Sequence, residues 1–231
     1  MTAADILAEL PKLGNASTKK TLLKHGAKEP FYGVKIEDLQ KIRKKVKRNH
    51  EVALALYDSG ISDAMYLAAL VSEPQKMTKA QLEKWARAAT WSMISDYAVA
   101  WTAAESRFAV ELGRKWIDSP KESIACSGWM TLSNYVAITP DDELDLTVFA
   151  GLLDRVRAEV HAAPNRVKSC MNGFVIAVGS CVVPLVAHAK AIAAAVGKVE
   201  VDVGDTSCKV PVASARFRDG FGGHRIHRNR T

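Results

Sequence analysis

Four cations stand at helical spacing in the first quarter of the chain: Lys41, Lys44, Lys45 and Arg48, at i, i+3, i+4 and i+7. Side chains at those intervals share one face of a helix. Contact with a phosphate backbone calls for such a row, because phosphates need aligned charge and no particular base. A solvated helix face has the same pattern, and on the residues alone both readings stay open. Lys19, Lys20, Lys24 and Lys28 add charge nearby. Farther along, Arg166 and Lys168 flank the expected start of a helix near Asn165. The first backbone N–H groups of a helix are well aimed at a phosphate.

A second group joins aromatic rings to charge. Trp85, Trp91 and Trp101 fall within seventeen residues, beside Arg87 and Asp96. Aromatic residues at helical spacing usually pack in a core. Trp91 and Trp101 are the better candidates for exposure, since WSMISDYAVAW interleaves polar residues. Asp96 is the carboxylate of most chemical interest, because Ile94, Tyr97, Val99 and Trp101 are placed to desolvate it in part. An ordinary cap or surface aspartate is the competing reading. Metal chemistry lacks its ligands: His224 and His227 lie three apart in a glycine-rich tail with no third donor nearby. GxSxG, a Walker loop and HExxH are also missing, so neither metal nor cofactor is expected.

Helices must position these residues. Leu39, Ile42 and Val46 make an apolar stripe opposite the cations, and Leu82, Trp85, Ala86 and Ala89 make another. Leu144, Val148, Leu152, Val156 and Val160 recur at four-residue steps. Breaks come often, at Glu29-Pro30, Gly60, Glu73-Pro74, Ser119-Pro120, Thr139-Pro140, Ala163-Pro164 and Val183-Pro184. SPKES and TPDDE place proline in a first helical turn with acids after it. The pattern predicts an all-α chain of about ten to twelve helices with short connections. Only Lys198–Pro211 alternates like a hairpin, with Gly204-Asp205 at the bend. From Ser214 the chain holds five arginines, two histidines and three glycines against one acid. Residues 1–213 are therefore expected to form the helical domain and 214–231 a flexible basic tail.

Composition supports this frame. Of 231 residues, 48% are hydrophobic and 25% charged, which is globular, and the net charge of +7 suits a polyanionic partner. Cys126, Cys170 and Cys181 lie in apolar segments and no pair of the four cysteines has CxxC spacing, so buried thiols in a reducing compartment are expected. MTAADILAELPKLG carries Asp5 and Glu9 without a basic lead and a long apolar run, unlike a secretory signal. Phe174–Ala187 is too short to span a bilayer and is broken by Gly179 and Pro184. A cytoplasmic monomer without membrane contact is the expectation.

Three segments resemble the DNA alkylation repair family: YGVKIEDLQKI (Tyr32–Ile42), APNRVKSCMNGFVIAVGS (Ala163–Ser180) and GKVEVDVGDTSCKVP (Gly197–Pro211). The resemblance runs from about Ser17 to Pro211. It implies a superhelical solenoid of HEAT-like antiparallel helix pairs whose concave basic face grips duplex DNA, mainly by its phosphates. The family includes glycosylases that excise cationic N-alkylated purines such as 3-methyladenine and 7-methylguanine. An alkylated purine already carries positive charge and leaves without a general acid. The protein then has to steady the oxocarbenium-like sugar with a carboxylate and position a water.

The resemblance also implies a tryptophan followed four residues later by that aspartate. Trp91 fits the tryptophan, but the fourth residue on is Ser95 and Asp96 comes one later. Alternatively Asp96 is the match and Ser92 stands in the tryptophan's place. The family's groove arginine has no counterpart in ESIACSGW (Glu122–Trp129), and a second groove tryptophan falls at Gly173 or Phe174. The expected function is DNA binding, with two forms left open. One is glycosylase action, with Asp96 catalytic and Trp91 lining the site. The other is a non-catalytic module for damaged or branched DNA. A protein-interaction scaffold is the third reading.

Overall fold

The computed structural model describes residues 1–217. Among them are twelve α-helices joined by short turns, and no strand. The expected histidine pair His224 and His227 and most of the expected tail lie outside the described residues. The described chain divides into two compact units, one of Met1–Phe108 with Gly204–Thr206, the other of Ala109–Val203 with Ser207–Phe217.

The first unit is built around a helix that is buried on every side. Helix α5 (Ser62–Val71) has all ten residues buried. Around it pack α1 (Ala3–Leu13), α3 (Ile36–Val46) and α4 (His50–Asp58). Helix α2 (Ala16–Lys24) precedes α3, and α6 (Lys79–Ala88) and α7 (Ala100–Ala104) close the unit. Starts follow local rules. Thr2 with Asp5 and Thr78 with Gln81 form capping boxes at α1 and α6, and Asn15 and Asn49 cap α2 and α4. Each expected stripe faces inward: Leu39 and Ile42 on α3, with Val46 half-buried, and Leu82, Trp85, Ala86 and Ala89 along α6 and its end. Tyr57 stacks on Trp85 with ring centroids 4.0 Å apart, and its hydroxyl donates to the Trp85 carbonyl at 2.8 Å. Burial raises the Tyr57 phenol well above its ordinary range, so it stays a donor.

The second unit holds α8 (Ala109–Ile117), α9 (Glu122–Ile138), α10 (Leu146–Glu159), α11 (Asn165–Cys181) and α12 (Val186–Val196). Helices α8 and α9 cross closely because glycine stands at the contact. A Cβ on Gly128 would lie 2.6 Å from the Ile117 amide nitrogen and 2.8 Å from the Gly113 carbonyl. Phe174 anchors the core, edge-on to Trp129 at 5.3 Å and beside Phe149 at 6.4 Å. Cys126 and Cys170 are buried as expected, whereas Cys181 is half-buried and Cys208 exposed. None of the four is in a disulfide. Among the described residues no single helix is long and apolar enough to cross a membrane.

Two expectations fail: Pro120 and Pro140 lie just ahead of α9 and of the 3-10 turn Asp141–Glu143 rather than inside a first helical turn, and the expected hairpin is absent. Lys198–Pro211 alternates in sequence but forms no hairpin. At Asp202 and Pro211 its backbone bonds to side chains of α11. Asn165 donates to the Asp202 carbonyl at 2.7 Å and accepts from the Asp202 amide at 2.8 Å, and Asn172 donates to the Pro211 carbonyl at 2.9 Å. Two asparagines on one helix thus satisfy backbone groups at Asp202 and Pro211 that a second strand would otherwise pair.

The glycines give a paired test. Gly128→Ala forces backbone against backbone and should cost about 3 kcal/mol in urea denaturation. Gly151 lies inside α10, exposed and with no atom within 4 Å of an added Cβ. Gly151→Ala should stabilise by about 0.5–1 kcal/mol in the same measurement.

Candidate nucleic-acid interface

Helix α3 carries its charge as a helix should, with Glu37 and Asp38 in the first turn and Arg43, Lys44 and Lys45 in the last. Lys41, Lys44, Lys45 and Arg48 are all exposed, the first three on α3 and Arg48 two residues past its end, so the helical spacing that linked all four does not extend to Arg48. They are not equivalent. Lys41 pairs with Asp38 at 2.7 Å, and that hydrogen bond holds its ammonium above the usual lysine range. Arg48 donates to the Ser72 carbonyl at 3.0 Å and lies 3.8 Å from Glu105. Among the described residues Lys44 and Lys45 enter no ion pair. Arg87, on α6, is exposed and bonded to Glu83 at 3.3 Å.

The tryptophan–aspartate segment departs from α-helical geometry. Met93–Val99 forms a π turn, which takes one more residue per turn than an α-helix. The Trp91 carbonyl accepts from both Ile94 and Ser95 amides at 3.0 Å, and the chain widens from there. Asp96 is 3% exposed and its carboxylate accepts the Ser95 hydroxyl at 2.6 Å. Trp91 is buried too, and its indole N–H has no hydrogen-bond partner. The exposed ring here is Tyr97, 44% accessible, with its edge to Trp101 at 5.5 Å. Trp91, a better candidate for exposure from the sequence, is buried, and Tyr97, expected there to help desolvate Asp96, is the exposed ring.

Trp91 lines a small, mainly apolar cavity of about 60 Å³ with Phe31, Tyr66 and Met93, and the carboxylate on that cavity is Asp63. Asp63 accepts the backbone amides of Tyr32 at 2.6 Å and Val34 at 2.8 Å. Both oxygens are occupied in fastening the 31–34 loop to α5, so the role is structural.

In the second unit, Arg166 and Lys168 are half-buried in the first turn of α11. The anion at that helix start is internal. Glu122, from the first turn of α9, accepts the Arg166 amide at 2.7 Å. That N–H is therefore not offered to a phosphate.

The sequence profile of the DNA alkylation repair enzyme family matches residues 6–189. The chain belongs to the DNA alkylation repair family. Two relatives from Listeria are similar over most of their length. Uncharacterized protein Lin0241 of Listeria innocua serovar 6a is 38% identical over 89% of this chain and 91% of its own. Uncharacterized protein Lmo0209 of Listeria monocytogenes serovar 1/2a is 37% identical over the same shares, 89% and 91%. A solved structure superposes with a TM-score of 0.86 at 35% identity, covering 93% of this chain and 92% of that one. It represents a new family of proteins related to the HEAT-like repeat DNA glycosylases with affinity for branched DNA structures. The all-α, HEAT-like fold expected from sequence is therefore this alkylation-repair protein's fold.

Against the glycosylase pattern of the alkylation repair family, the second tryptophan position is either Gly173, with nothing within 4 Å of an added Cβ, or Phe174, fully buried in the core. Neither offers an aromatic face. Asp63 gives the sharpest test of this site's scaffolding. Asp63→Ala leaves two amides unpaired and should cost about 3 kcal/mol, with faster hydrogen exchange at Tyr32 and Val34.

Proposed function

We propose that this alkylation-repair-family protein binds DNA through the phosphate backbone, prefers branched or distorted structures, and does not release bases. One contrast within the first unit carries the reading: Lys44 and Lys45 are exposed and without ion partners, while the Asp96 carboxylate is buried on a serine hydroxyl. Phosphate binding needs accessible cations. Steadying a sugar cation needs an accessible carboxylate, and the hydrogen bond from Ser95 further disperses the charge of Asp96. The affinity of the similar solved protein for branched DNA supports the same side.

A second reading is kept by one observation. The π turn supplies an extra residue between Trp91 and Val99, which is what Asp96 needs to match the family's spacing. In that reading Asp96 stabilises the sugar cation of an alkylated purine nucleotide and Trp91 lines the site.

Two measurements separate them. DNA affinity should fall with salt at a log–log slope near about −0.9 per phosphate contacted, and Lys44→Ala/Lys45→Ala should flatten the slope by about two contacts. A flat salt response points to the protein-scaffold alternative. Base release from DNA carrying 7-methylguanine, under single turnover, should stay at background. Release that Asp96→Asn abolishes, with DNA affinity retained, favours the glycosylase reading instead.

A further inference from the structure

Six of the eight residues from Lys41 to Arg48 are cations: Lys41, Arg43, Lys44, Lys45, Lys47 and Arg48. Lys47 lies just beyond α3, outside the Lys41–Lys44–Lys45–Arg48 set. It is also the only described non-glycine residue with positive φ, at φ 60° and ψ −144°. That backbone region is comfortable for glycine and strained for any residue with a Cβ.

The strain is imposed from both sides. The Lys47 amide donates to the Arg43 carbonyl at 2.7 Å and closes α3. The next three residues are fastened to the far end of α5: Arg48 to the Ser72 carbonyl at 3.0 Å, the Asn49 amide to the Val71 carbonyl at 2.8 Å, and the His50 amide to Glu73 at 3.2 Å. Between these attachments the chain turns within Lys47, Arg48 and Asn49, and Lys47 is the residue that takes the positive φ.

The chain contains its own control. Helix α12 ends with its cap residue at φ 62° and ψ −138°, donating to the carbonyl four residues back at 3.0 Å. The backbone solution is the same, and there the residue is Gly197. Where geometry alone decides, this chain uses glycine. Cations do complement the negative end of a helix, but Arg43, Lys44 and Lys45 already supply three in the last turn of α3. Lys47 adds repulsion to them and, among the described residues, enters no ion pair.

We infer that Lys47 is a phosphate ligand held on a strained turn, and that Lys44, Lys45 and Lys47 form the phosphate-binding cluster at the end of α3. The left-handed backbone carries the cluster past the helix end, next to two exposed ammonium groups on its last turn. Lys41 and Arg48, engaged by Asp38 and by Ser72, fasten the flanks. The inference rests on the DNA-binding reading and adds a residue that sacrifices stability for contact.

The test uses Lys47→Gly, which removes charge and strain, Lys47→Gln, which removes charge alone, and Lys12→Gln as an equal change of charge at an exposed site on α1. Binding to a DNA three-way junction is followed by anisotropy across a salt series, and thermal unfolding is measured in parallel. Both Lys47 variants should bind about fivefold more weakly, with a salt slope flatter by about 0.9. Lys47→Gly should melt about 2–4 °C higher than the parent. Lys47→Gln should show no such gain, and Lys12→Gln should leave the slope unchanged. Higher melting of Lys47→Gly with unchanged affinity and slope overturns the ligand role while DNA binding stands. An equal loss in Lys12→Gln reduces the effect to net charge and overturns it as well. No melting gain in Lys47→Gly overturns the strained turn. A parent protein without salt-dependent DNA binding removes the underlying reading too.

Discussion

A helix buried on every side must have both its ends hydrogen-bonded by other parts of the chain, and α5 imposes that demand on the first unit. Water cannot reach its terminal amides and carbonyls. At the N-terminal end the Ser62 amide donates to the Pro30 carbonyl at 3.0 Å, and Asp63 takes the amides of Tyr32 and Val34. At the other end the Val71 and Ser72 carbonyls accept from Asn49 and Arg48. The 30–34 loop and the turn between α3 and α4 are therefore shaped by α5 before any ligand is considered. The positive φ of Lys47 falls in this turn, between the end of α3 and the Asn49 amide that donates to α5. Which side chain occupies that position is the only part left to selection by function.

The sequence made the local parts of this legible. Stripes such as Leu39–Ile42 and Leu82–Trp85–Ala86 depend on residues a turn apart, and capping boxes such as Thr78–Gln81 span four positions. The exposure of Lys41, Lys44 and Lys45 on α3 follows from the same periodicity. What stayed hidden depends on distant partners. Asp63 looks like an ordinary first-turn acid, yet its two amides lie 31 and 29 residues away. Lys198–Pro211 has the alternation of a strand and is extended, but the choice of α11 asparagines over a second strand is a tertiary one. Lys47 gave no signal because local preference would have placed glycine there.

Asp96 shows a different limit. Reading a helix at 3.6 residues per turn assumes an even phase, and the π turn slips that phase inside WSMISDYAVAW. The polar residues that made Trp91 and Trp101 look exposed are the trace of this slip. Its result is that Ser95 and Asp96 are both interior and bonded to each other, while Tyr97 turns outward. A hydroxyl donated at 2.6 Å stabilises a carboxylate without leaving it poised toward solvent. The segment in which the family resemblance looks for an aspartate thus has an internal hydrogen-bonding role here.

Phosphate contacts position DNA but carry no sequence information, so selectivity on the proposed reading has to come from the arrangement of phosphates in space. A regular duplex presents them along two smooth strands, and a row of lysines on one helix face meets that pattern anywhere. A turn held by three of its backbone amides, with the Arg48 side chain as a fourth attachment, is less accommodating. Lys44 and Lys45 lie along the helix, whereas Lys47 leaves it on a backbone tied through the Asn49 amide to α5. Such a cluster favours phosphates that approach from more than one direction at once, as they do where strands diverge at a branch. Rigidity converts a charge of no intrinsic specificity into a preference for shape. A glycine at position 47 would make the turn easier to form and would remove the cation that gives the turn its use.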